Sequence, residues 1–133
     1  MRTYEIEGRR CVSLEAFFEE ISRVLIPGAH WGHNLDAFND ILRGGFGTPE
    51  EGFILRWRHS EESRRHLSYP ETVRQLELRL GRCHPSNRET VRVYLDEARA
   101  GVGLTVFDWL VEIIQCHSAG GTEAQDSVEL RLE

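Results

Sequence analysis

The chain contains no lysine: all sixteen basic residues among its 133 are arginine, a bias to which no function attaches. Against them stand twenty-two acidic residues, giving a formal net charge of -6. That balance argues against a sequence-independent grip on nucleic acid, whose affinity comes from neutralising phosphates with basic side chains. A basic protein is the better-matched partner. Cysteine is scarce as well, with Cys11, Cys83 and Cys116 forming an odd set without CxxC spacing. A complete disulfide framework and a zinc ribbon are both excluded, and reduced thiols in a cytosol are expected. No apolar run has the length of a membrane span. Met1 to Glu7 alternate polar and apolar residues and lack the basic start and apolar stretch of a secretory leader, so the protein is expected to stay in the cytoplasm. There is no internal repeat and no low-complexity tract.

What is present, 40% hydrophobic and 29% charged residues, fits one globular domain over residues 1–133. Tyr4 and Ile6 alternate with Thr3, Glu5 and Glu7 before Gly8, the pattern of a short strand ended by a turn. Ser13 can cap a helix whose stripe runs Leu14, Phe17, Phe18, Ile21, Val24 and Leu25, with Val12 and Phe17 at staple spacing and Pro27-Gly28 as the stop. A second helix is predicted from about Leu35 to Arg43, capped by Asn34 and ended by Gly44-Gly45. Phe53 to His59 reads as a strand covered on one face and partly on the other. Helical patterns follow to about Leu67, from Pro70 to Arg82, from Arg88 to Ala100 and from Leu104 to His117. Val128, Leu130 and Leu132 then alternate with Glu129, Arg131 and Glu133 as a closing strand. Strands separated by helices favour parallel pairing. The expected fold class is therefore α/β, a small three-stranded parallel sheet packed with helices.

The second helix has two unlike faces. Leu35, Phe38, Ile41 and Leu42 form an anchoring stripe, while Asp36, Asn39, Asp40 and Arg43 face the other way. Asp36 and Asp40 stand one turn apart, an arrangement that costs local repulsion until something positive arrives. Solvated acids near a helix start are common, so the pair alone does not specify a function.

Around this helix, His30-Trp31-Gly32-His33-Asn34-Leu35-Asp36-Ala37-Phe38-Asn39-Asp40-Ile41-Leu42 resembles the aromatic-Gly-x-Asn-Leu-Asp-Ala-x-x-Asp-x-Leu signature of the barstar family of ribonuclease inhibitors. Phe53-Ile54-Leu55-Arg56-Trp57-Arg58 is similar to the family's second strand with its Trp-Arg pair. The resemblance implies a cytoplasmic, non-enzymatic immunity protein that blocks a small, basic, secreted ribonuclease of the guanyl-specific, barnase-like kind. Such an active site holds phosphate with Arg, Lys and His, so spaced carboxylates can occupy the phosphate position. By the same resemblance Asp40 enters the catalytic centre and Asp36 pairs with a neighbouring basic residue. Asn34 and Gly32 supply close, hydrogen-bonding backbone. His30 and Asn39 stand where the family often carries aromatics, Trp31 keeps an aromatic beside the glycine, and Phe46 is a candidate for the family's loop aromatic. A further acid is expected from the helix feeding the last strand, with Glu112 the first choice and Glu97 the second. Residues from about 68 to 103 lack a clear counterpart in compact family members and are expected to form an added helical pair.

Other readings fit the residues less well. Asp36 and Asp40 could serve hydrolysis as paired carboxylates, but side by side on one exposed turn they do not enclose a substrate. His30, His33 and Asp36 have helical ligand spacing, yet Gly32 and the cap at Asn34 place the helix start after both histidines. Cys83-His84 and Cys116-His117 lack the two-residue loop between zinc ligands. Gly44-Gly45-Phe46-Gly47 lacks the Lys-Ser/Thr of a phosphate loop. No metal and no cofactor are expected, and the alternative function is a binding module for another basic protein.

Overall fold

Why the sheet forms is visible along its central strand. In a computed structural model, which describes residues 1–44 and 46–133, β2 (Phe53–Arg58) lies between β1 (Thr3–Glu7) and β3 (Val128–Leu132), and both pairings are parallel. Phe53, Leu55 and Trp57 are fully buried on one face, beside Tyr4 and Ile6 of β1 and Val128 of β3. The register sets Tyr4 against Leu55 and Leu55 against Leu130. On the opposite face, Arg56 stands level with Glu5 and Arg131 and pairs with Glu5 at 2.9 Å and Glu133 at 2.6 Å. One face is thus core and the other an ionic ladder, which fixes register because a one-residue slip would exchange the two. His59 adopts φ 53, in the left-handed region, and so ends β2 one residue before the expected boundary.

The helices are α1 (Leu14–Leu25), α2 (Leu35–Arg43), α3 (Ser60–His66), α4 (Tyr69–Arg82), α5 (Arg88–Arg99) and α6 (Val106–Cys116). Ser13 caps α1 by accepting from the Ala16 N–H at 3.1 Å, but Val12 stays 51% exposed, so the expected staple onto the buried Phe17 is not built. α6 begins at Val106 rather than Leu104. Thr105 and Asp108 form a reciprocal capping box there, leaving Leu104 outside and half exposed. Gly44 takes φ 94 at the end of α2, while Gly45, its partner in the expected helix stop, lies outside the described residues.

Phe17 of α1 sits 5.3 Å from the Phe38 ring of α2 and 5.1 Å from Trp57, and Trp57 sits 5.0 Å from Phe107 of α6. Helices α1 and α6 thereby meet on one strand residue, and α2 joins them through Phe17. α4 and α5 pack together around a smaller core of Leu76, Val91, Leu95 and Ala98, which the half-buried Trp109 of α6 joins to the main one. α4 also serves its neighbours. Glu71 accepts from the buried Leu14 N–H at 2.9 Å and Thr72 Oγ1 from the Val106 N–H at 2.9 Å, so its first turn satisfies open donors of α1 and α6.

Gly8 follows β1 in a short 3-10 turn, and its need is for space rather than for a positive φ. A Cβ there would stand 2.3 Å from the His59 carbonyl oxygen. Among the described residues no helix is long and apolar enough to cross a membrane.

Candidate partner-binding face

The face is built outward from the cap of α2. Asn34 accepts from the Ala37 N–H at 2.8 Å through Oδ1 and donates to the Gly32 carbonyl at 3.3 Å through Nδ2. One side chain thus starts the helix and folds the preceding loop against it. A Cβ on Gly32 would lie 2.7 Å from Asn34 Nδ2, so a larger residue there would displace the Asn34 amide from this contact. His33 takes φ 47 and packs with its ring tilted 4.4 Å from that of Trp31. Trp31 packs edge-on to Phe18 at 5.3 Å and donates to Ser22 Oγ at 2.6 Å. It is therefore half buried against α1 and holds the loop from beneath, whereas His30 next to it is exposed.

From α2 itself, Phe38, Ile41 and Leu42 are buried and Leu35 is half buried, leaving Asp36 and Asp40 exposed on the opposite side. Asp40 accepts from Arg43 Nη1 at 2.9 Å. The same guanidinium binds Glu123 Oε1, 2.6 Å from its Nε and 2.5 Å from its Nη2. Arg43 is thus held between two carboxylates, and the Glu123 hydrogen bond, with the charges of Glu123, Asp40 and Asp126, pushes its pKa up. Phe46, beyond the helix, is 39% exposed.

Glu123 is the residue that sequence reasoning missed. It lies eighty positions from Arg43, in the small-residue segment before β3, and no local periodicity marks it. Glu112 is exposed on α6, which packs against both α2 and β3; Glu97 is exposed on α5, which packs on α4. Asn39, expected on the free face, is half buried, with Oδ1 2.6 Å from Nε2 of the fully buried His117. Its helical position faces outward, but the segment after α6 folds over it.

Beside Asp36 and Asn34 opens a groove of about 570 Å³, floored by Leu14, Phe18 and Trp109, with Arg79 and Arg82 of α4 on the far lip. Among the described residues this groove is open, and Asp36 stands exposed at its rim. The arrangement offers carboxylates to a convex or cleft-bearing surface, with an arginine that an incoming cation could replace.

A scan against protein-family models finds a match over residues 1–100 to Barstar (barnase inhibitor), a stretch running from β1 through α5. A search of curated proteins finds no match. With three quarters of its length inside that match and the α/β sheet and capped α2 in place, the chain belongs to the barstar family.

Proposed function

We propose that the chain is a cytoplasmic immunity protein that inhibits a secreted, basic, barnase-like ribonuclease by inserting carboxylates where the enzyme binds phosphate. The observation that carries this reading is the exposed pair Asp36 and Asp40, one turn apart on a helix whose other face is locked in the core. Family membership adds that the fold's namesake activity is ribonuclease inhibition.

In this mechanism Asp40 leaves Arg43 for the arginines and histidine of the nuclease centre, and Asp36 takes an adjacent basic residue. Arg43 stays with Glu123, which prevents a buried unpaired cation from forming when Asp40 changes partner. Gly32 and Asn34 bring backbone close to the partner, with His30, Trp31, Asn39 and Phe46 around them. Glu112 is the further acid, favoured over Glu97 because its helix packs against α2. The α4–α5 pair, the proposed addition to the compact fold, borders the site through the Arg79 and Arg82 lip and so can extend the contact.

The test is RNA cleavage by a panel of small guanyl-specific ribonucleases, titrated with the wild-type protein and with Asp40→Ala. Stoichiometric inhibition by the wild type is expected, with the variant weaker by more than about 2 kcal/mol, some thirtyfold, as for a desolvated charged hot spot. Absence of inhibition by folded wild-type protein across the panel would overturn the ribonuclease reading and favour another basic partner. With an inhibited enzyme, stopped-flow binding should show the association rate falling at least severalfold between low and high salt while dissociation changes less, because screening acts first on long-range attraction. A salt-independent association rate would refute carboxylate steering.

A further inference from the structure

His117 ends α6 fully buried, and three oxygens surround its ring. Asp126 Oδ2 lies 2.6 Å from Nδ1; Asn39 Oδ1 and Glu123 Oε2 lie 2.6 and 3.4 Å from Nε2. A neutral imidazole carries one N–H, and the tautomer that donates it to the Asp126 carboxylate satisfies that acceptor. Nε2 then presents a lone pair to two further oxygens. In that tautomer three electron-rich atoms meet, an arrangement that a cation at their centre would satisfy.

We propose that His117 Nε2, Glu123 Oε2 and Asn39 Oδ1 bind a first-row divalent ion of the zinc class, with Asp126 orienting the imidazole from behind. Zinc bonds of about 2.0–2.2 Å set neighbouring tetrahedral ligands roughly 3.3–3.5 Å apart, so the observed 3.4 Å between Nε2 and Oε2 is already at that spacing. Asn39 need retreat by less than about 1 Å to match. A carboxylate on the far nitrogen of a metal-bound histidine is the usual orienting partner. Arg43 occupies the other oxygen of Glu123 and leaves Oε2 turned to the ring.

Two of the donors, His117 and Glu123, are also held together in advance with the orienting Asp126. One ligand atom each of His117, Glu123 and Asp126 already lies within 4.8 Å of the others, all from a ten-residue segment. Its backbone is stitched by Glu123 N–H to the Cys116 carbonyl at 2.8 Å and Val128 N–H to the His117 carbonyl at 2.9 Å. An ion there would tie α2, through Asn39, to the segment that enters β3.

The experiment needs no ribonuclease, so its outcome is independent of the inhibitor reading. Chelator-stripped full-length protein is titrated with Zn²⁺ by calorimetry and with Co²⁺ by visible absorption, alongside Glu123→Gln and Asn39→Ala, each first shown folded by circular dichroism. Expected are one equivalent of metal, a four- or five-coordinate Co²⁺ spectrum without a thiolate charge-transfer band, a raised Tm, and affinity at least about tenfold lower in both variants. The proposal fails if the wild type shows no saturable binding up to millimolar metal. It fails equally if either variant binds as the wild type does, or if a thiolate band shows the cysteines to be the ligands.

Discussion

Trp57→Ala should destabilise the fold by about 3–5 kcal/mol, the range for deleting a fully buried large aromatic. Trp57 lies on the central strand with Phe17 and Phe107 against its ring, so α1 and α6 both lose their contact when it is removed. Its indole N–H also donates to Ser63 Oγ at 2.8 Å, and Ser63 Oγ donates to the Gly8 carbonyl at 2.7 Å, linking β2, α3 and the turn after β1. A loss of this size is a large share of the roughly 5–15 kcal/mol that stabilises such a domain. Urea unfolding followed by far-ultraviolet circular dichroism checks it; a midpoint within error of the wild type would show that the ring is not central to the core. Trp57→Phe, which keeps most of the packing and removes the donor, should lose clearly less.

Glu71→Ala should cost about 2–3 kcal/mol at neutral pH, because it leaves the buried Leu14 N–H without an acceptor and removes a charged partner at the start of α1. Burial by itself would raise the Glu71 carboxyl, but hydrogen bonds from Arg74, the Leu14 N–H and Gln75 hold it below the ordinary value of 4.5. A depressed folded-state pKa contributes stability that is fully present above the unfolded-state value and is lost as pH falls through the folded-state value. The gap between wild type and variant should therefore be full at pH 7 and narrow progressively below about 4.5. Urea midpoints measured from pH 7 to pH 3 read this directly. A gap that stays constant across that range would show that Glu71 acts by packing alone. Glu20, buried where it accepts the Glu7 N–H at 2.7 Å and pairs with Arg23 at 2.8 Å, is depressed in the same sense and adds to the acid sensitivity of the wild type.

The strands, the six helices and the cap of α2 were legible because each depends on neighbours within a few residues. Alternation marks Tyr4 and Ile6, helical spacing marks Phe38, Ile41 and Leu42, and Asn34 closes on Ala37 three positions away. Small errors came where a local signal was misread: Val12 never packs, and Thr105 and Asp108 start α6 two residues late. Asp36 and Asp40 were placed correctly as an exposed pair, since their one-turn spacing and the apolar stripe behind them are both short-range.

Other features became visible only once distant segments met. Glu20 and Glu71 look like ordinary surface acids on amphipathic helices, yet each is buried because a backbone N–H, thirteen residues away for one and fifty-seven for the other, needs an acceptor. Asn39 reads as part of the free face until His117, seventy-eight residues later, covers it, and Glu123 joins Asp40 only through Arg43. The sequence by itself determined the class of fold, the capped helix and the pair of acids it displays, because periodicity and capping are local physics. Tertiary structure alone decided which acids are buried, which cation stands between Asp40 and Glu123, and that His117 meets Asn39, because those contacts join segments whose meeting no local pattern encodes.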